Sequence, residues 1–93
     1  MKPHLEVSSM AVLSREELAG RCGIEVAFVE QLVQLGVLET SDRGFACEVT
    51  LRVGRFVRLQ RDLGVNSEGA AVILDLLDRI EALEHELRAL GRR

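Results

Sequence analysis

Aromatic side chains are almost missing from this sequence: three Phe stand among 93 residues, with no Tyr and no Trp. A core of that composition is built from Leu, Val, Ile and Ala, and the expectation is a mainly helical chain. Cysteine is nearly as scarce. Cys22 and Cys47 show no CxxC spacing, and His4 and His85 stand far from both, so the ligand pattern of a zinc site is missing. With no signal-peptide pattern, the two are expected to be reduced thiols of a cytoplasmic chain rather than a disulfide. No apolar run approaches the ~18 residues that a membrane span requires, which excludes a transmembrane helix.

Positive charge is also in deficit, with 12 Lys+Arg against 15 Asp+Glu and a formal charge of −3. Neutralised phosphates dominate duplex binding, so a free-standing DNA binder is disfavoured, although a local basic patch stays open. Catalytic groupings are absent too. There is no nucleophile–base pair, Gly-rich phosphate loop or metal cluster, and Ser8, Ser9 and Ser14 have no His at a suggestive spacing. The chain is therefore expected to be neither an enzyme nor a cofactor binder. A redox sensor built on Cys22 and Cys47 would need an exposed, partly ionised thiol.

What is present reads as one small domain over 1–93, near the size at which a single core only just suffices. Some apolar surface is expected to complete its burial against a second copy or a partner. Residues 1–13 alternate Leu5 and Val7 with polar groups, which suggests a short strand. A helix-turn-helix over 14–36 follows. Ser14 and Glu17 make a capping-box pattern, Leu18 and Cys22 share a face, and Gly23 stops the first helix. The second helix runs from about Glu25 to Leu35, with Val26, Val29, Leu32, Val33 and Leu35 apolar and Gly36 as its stop. That is the outline of a DNA-reading element, yet its reading helix carries Glu25 and Glu30 and no Lys or Arg. Its polar face is either simply solvated or an acidic surface for a partner.

Residues 37–49 hold two β-like pieces, Val37–Thr40 and Phe45–Val49, around Asp42 and Gly44, and predict a hairpin wing with Arg43 at its tip. In a third helix over 50–64, Arg52, Arg55, Arg58 and Arg61 recur at every third position and sweep one half of the circumference. Val53, Phe56, Val57, Leu59 and Leu63 take the other half. The basic half could grip phosphates or an acidic partner, or pair with neighbouring carboxylates. A long helix over 66–91, capped by Asn66 or Ser67, ends ahead of the last arginines. Ile73, Leu76, Ile80, Leu83, Leu87 and Leu90 follow one another at alternating spacings of three and four, the a/d seam of a coiled coil. The seam is too short to hold alone but suits a homodimer supported by the rest of the domain. Asp75, Asp78 and Glu81 fall opposite it as an acidic stripe, either a solvated face or a landing place for a basic helix.

This order of elements resembles the MerR class of winged helix-turn-helix regulators, and "LAGRCGIEVAFVEQLVQLGVLE" lines up with their opening. "VRLQRDLGVNSEGAAVILDLLDRIEALEHEL" resembles more specifically the chaperone-modulator branch, the CbpM family, in which an arginine-rich helix leads into a "GAAxILDLLDRI" stretch. The resemblance spans about 14–90. It implies a mainly α fold, a MerR-like winged helix-turn-helix with a short β-hairpin wing and a long C-terminal dimerisation helix. It implies a partner as well: the J domain of a DnaJ-like (CbpA-like) co-chaperone, which binding keeps from engaging Hsp70. J domains present a basic second helix, and Glu25 with Glu30, or Asp75 with Asp78 and Glu81, match it in charge. Where MerR regulators place Arg and Tyr, this chain has "VAFVEQ" and "FACEVT", so the scaffold is expected without the DNA-reading chemistry. The alternative is a DNA-binding regulator of the same class. It would set Arg43, Arg52, Arg55 and Arg58 on phosphates and Gln31 or Gln34 on bases.

Overall fold

The structure, a computed structural model, describes residues 12–92. The strand expected around Leu5 and Val7 lies outside them. The elements run β1 (Val12–Leu13), α1 (Arg15–Cys22), α2 (Val26–Gln34), β2 (Phe45–Ala46), α3 (Val49–Leu63) and α4 (Ser67–Gly91). The mainly α architecture with one small antiparallel pair of strands is as expected from the composition and the resemblance.

Local chemistry sets the helix ends. At the start of α1 the Glu17 amide donates to Ser14 Oγ at 3.0 Å and the Ser14 amide donates to Glu17 Oε1 at 2.9 Å, a complete capping box. Gly23 adopts φ 68° and donates its amide to the Ala19 carbonyl, closing the helix in the left-handed conformation that glycine permits. Asn66 caps α4 by accepting the Gly69 amide at 2.8 Å.

The core is the meeting point of all the elements. Leu18 and Ala19 of α1, Val29 and Leu32 of α2, Phe45 of β2, Val53 and Phe56 of α3, and Ala70 and Leu74 of α4 are buried together with Leu13, Val37 and Leu38. The Phe28 and Phe56 rings meet tilted, 5.9 Å between centroids. α4 folds back beside α3 after Gly64, and Gln60 of α3 bridges the turn by donating to the Val65 carbonyl and to Ser67 Oγ. The docked part of α4 ends with Asp78. From Arg79 onward every described residue is exposed, so the last turns of the helix project about 20 Å past the domain.

The expected strand Val37–Thr40 does not form. The Val37 and Leu38 amides turn back to the Leu32 carbonyl at 2.9 and 3.3 Å, and both side chains are buried. This segment seals the end of α2 instead of extending. Phe45–Ala46 therefore pairs with β1, with Val12 opposite Ala46 and Leu13 opposite Phe45. The turn itself stands where Asp42 and Gly44 predict it, closed by reciprocal Ser41–Gly44 backbone hydrogen bonds of 3.0 Å. Gly44 has φ 127°, and a Cβ there would stand 2.5 Å from the Leu13 carbonyl oxygen. Only glycine lets the turn lie this close to β1.

Candidate functional site

Position by position, α2 presents little that can read DNA. Glu25 is its exposed N-cap residue, Ala27, Gln31 and Gln34 face solvent, and no Lys or Arg occurs between Val26 and Gln34. Glu30 is engaged at home, because Arg15 at the start of α1 holds its carboxylate through Nε–Oε2 at 2.6 Å. The pair ties the two helices across half-exposed surface. Sequence spacing gave no signal of it.

Of the two readings of the α3 arginines, a grip on phosphates or a pairing with neighbouring carboxylates, Arg52 and Arg55 follow the second. Arg52 reaches Asp78 with both terminal nitrogens, at 2.9 and 3.3 Å, while its Nε donates to the Val37 carbonyl at 2.6 Å. Arg55 meets Glu81 at 3.5 Å. Asp75 pairs along its own helix with Arg79 at 3.1 Å. The stripe Asp75–Asp78–Glu81 is thus split, because the α4 face opposite the apolar seam is the face that α3 packs against. Of the four arginines proposed for DNA, Arg43 and Arg58 remain exposed and Arg52 and Arg55 are bound within the fold. A usable signal existed: in a helical hairpin turning at Gly64–Asn66, Arg52 and Asp78 lie equally far on either side of Val65. An open groove of about 410 Å3 runs beside this pair, between Val37–Glu39 and Val49.

On the projecting part of α4 an apolar row lies bare. Leu76, Ile80, Leu83, Leu87 and Leu90 are between 49% and 67% exposed, and Val72 extends the row towards the N-terminal end. Ile73 differs from its seam-mates and is half-buried in its own domain. Leu63, placed by periodicity on the apolar half of α3, is 56% exposed at the helix end.

The two cysteines are unbonded and half-buried against the core. Burial pushes the Cys22 thiol up from its ordinary value, which lowers its thiolate fraction and its reactivity. Among the described residues no His, Cys, Asp and Glu cluster to hold a metal ion, and no helix is long and apolar enough to cross a membrane.

Two helices joined at a Gly turn, a short β element and a long C-terminal helix make up this arrangement. The family model described as MerR HTH family regulatory protein matches residues 13–92, nearly all of it. The chain belongs to the MerR helix-turn-helix family. A second likeness is shorter. The chaperone modulatory protein CbpM of Coxiella burnetii strain Dugway 5J108-111 is 59% identical over 32 residues, and its counterpart in strain RSA 331 / Henzerling II matches equally. The stretch covers 34% of this chain and 30% of each relative, so the match spans less than a third of those proteins. Both names describe regulators and modulators, which are non-enzymatic kinds of protein. This MerR-family chain thus keeps the scaffold of its family on a reading helix without a cation.

Proposed function

We propose that this chain is a non-catalytic chaperone modulator that binds the J domain of a DnaJ-like co-chaperone and restrains its engagement of Hsp70. The observation that carries the reading is the charge of α2. A family built to set that helix against nucleic acid here offers no cation on it, only Glu25, which a phosphate backbone repels, and the amides Gln31 and Gln34, which can hydrogen-bond a base or a protein alike. The likeness to the Coxiella proteins supports the same direction. Glu25 is the most available carboxylate of the five expected to dock the partner. Glu30, Asp78 and Glu81 contribute by sharing their charge with an arginine already in place, and Asp75 by exchanging Arg79 for a partner cation.

The protein works as a homodimer in this reading. An apolar row about half exposed or more from Leu76 to Leu90 is a liability on a monomer, and its spacing matches a coiled-coil seam. J-domain-stimulated ATP hydrolysis by Hsp70 tests the function. Added protein should lower the stimulation in proportion to the J domain bound, and undiminished stimulation at saturating protein would remove the reading.

The alternative, a DNA-binding regulator, draws on family membership and on Arg43 and Arg58. Its mark is duplex binding that falls steeply with salt.

A further inference from the structure

A second groove has no place in that reading. It lies between the last turn of α1 and the length of α3 and encloses about 420 Å3, with Ile24, Val53 and Val57 on its floor and Arg21, Arg58 and Arg61 around it. We propose that this groove docks a short acidic segment of another protein, with a leucine-sized anchor side chain on the floor and flanking carboxylates on the arginines.

Charge distribution is the first argument. Arg15, Arg52, Arg55 and Arg79 each hold a carboxylate from a different turn or element. Among the described residues Arg21 and Arg58 hold none, and Arg61 meets only its sequence neighbour Asp62, on open surface. Arg43, Arg88 and Arg92 are likewise without a carboxylate but stand apart, at the turn tip and along the end of α4, whereas Arg21, Arg58 and Arg61 border one concavity, which suits recognition of an anionic group there.

The floor decides between kinds of anion. Val53 is buried and Ile24 and Val57 are half-buried beside Cys22, so the centre of the groove favours an apolar group. The volume lies within the range of small-ligand sites and suits one anchor side chain rather than a whole helix. Nucleic acid fits less well. The groove carries no aromatic ring, so it offers no stacking surface for a base. The glycine at position 54 keeps the groove open. A Cβ there would touch only the Arg58 guanidinium, at 3.4 Å, so a side chain at this position starts in open space beside Arg58.

The probe is a fluorescein-labelled peptide with a leucine pair flanked by glutamates, titrated at physiological salt into the full chain and followed by anisotropy and by amide resonances. Saturable binding is expected, with the resonances of Cys22–Ile24 and Val53–Val57 moving first. Arg21→Gln with Arg58→Gln should weaken it about tenfold, the sum of two partly exposed ion pairs. Gly54→Leu should abolish it while leaving the thermal midpoint unchanged or higher, since leucine is the better helix former. Several results overturn the proposal: no saturable binding, equal binding by a glutamine-for-glutamate peptide, unchanged binding by Gly54→Leu, or a DNA duplex that binds the same residues more tightly.

Discussion

Arg52 and Asp78 join the two C-terminal helices by a paired contact at 2.9 and 3.3 Å, and the same guanidinium clasps the Val37 carbonyl at 2.6 Å. One side chain therefore connects α3, α4 and the segment that seals α2. Held by Asp78 and the Val37 carbonyl, this half-buried guanidinium is also less available to a phosphate.

Asp78→Asn should cost about 0.5–1 kcal/mol in urea unfolding, the range of a partly exposed but well-aligned ion pair. Asp75→Asn, which breaks only the exposed pair within α4, should cost less than about 0.5 kcal/mol. Equal losses would mean that the Arg52 contact adds nothing by linking elements.

The bare row on α4 gives the second expectation. Leu83→Asp should convert a dimer to a monomer in sedimentation equilibrium, because a carboxylate in a closed seam costs several kcal/mol. The monomer's own core is untouched, since Leu83 makes no part of it, so its helical signal should persist. A dimer that survives the substitution would place the interface elsewhere.

Gly44→Ala should destabilise the chain by about 1–3 kcal/mol, the cost of a strained left-side backbone, with a clash against the Leu13 carbonyl added to it. Gly20→Ala is the control, since nothing lies within 4 Å of a Cβ there. It should be neutral or mildly stabilising in the same melt.

Burial raises the Cys22 thiol, so the folded state holds that proton more tightly than the unfolded chain. The stability tied to the neutral thiol is present in full below the unfolded value and is lost as pH rises through the folded one. Iodoacetamide should accordingly modify Cys22 more slowly than a free thiol at neutral pH, and the rate should climb only at more alkaline pH. Fast labelling at neutral pH would instead describe an exposed, reactive thiol.

The features that could be read from sequence are the ones fixed by neighbours in the chain. Ser14 with Glu17, Gly23, and Asn66 ahead of Gly69 all act within one turn of helix, and each stands in the fold as its chemistry requires. The apolar row of α4 was legible for the same reason, as a spacing, and the structure finds Leu76 to Leu90 bare. One reading failed, and another could not be decided, where the deciding contact is remote. Val37 and Leu38 look like a strand in isolation, but the Leu32 carbonyl and the core claim them first. Arg52, Arg55, Asp78 and Glu81 look like opposed surfaces on separate helical wheels, until the turn at Gly64 brings the wheels into register. Arg15 and Glu30 meet only because the Gly23 turn sets α2 across α1, and neither helix alone announces it.

The central claim is that this MerR scaffold binds a J domain rather than DNA. Calorimetric titration of the protein with a purified J domain from a DnaJ-like co-chaperone of the same organism, at physiological salt, tests it most directly. The account predicts saturable binding at micromolar affinity or better, weakened by Glu25→Lys far beyond the small loss of stability that a cation at the N-terminus of α2 brings. An absence of heat and of binding, together with salt-sensitive binding to duplex DNA, would contradict it.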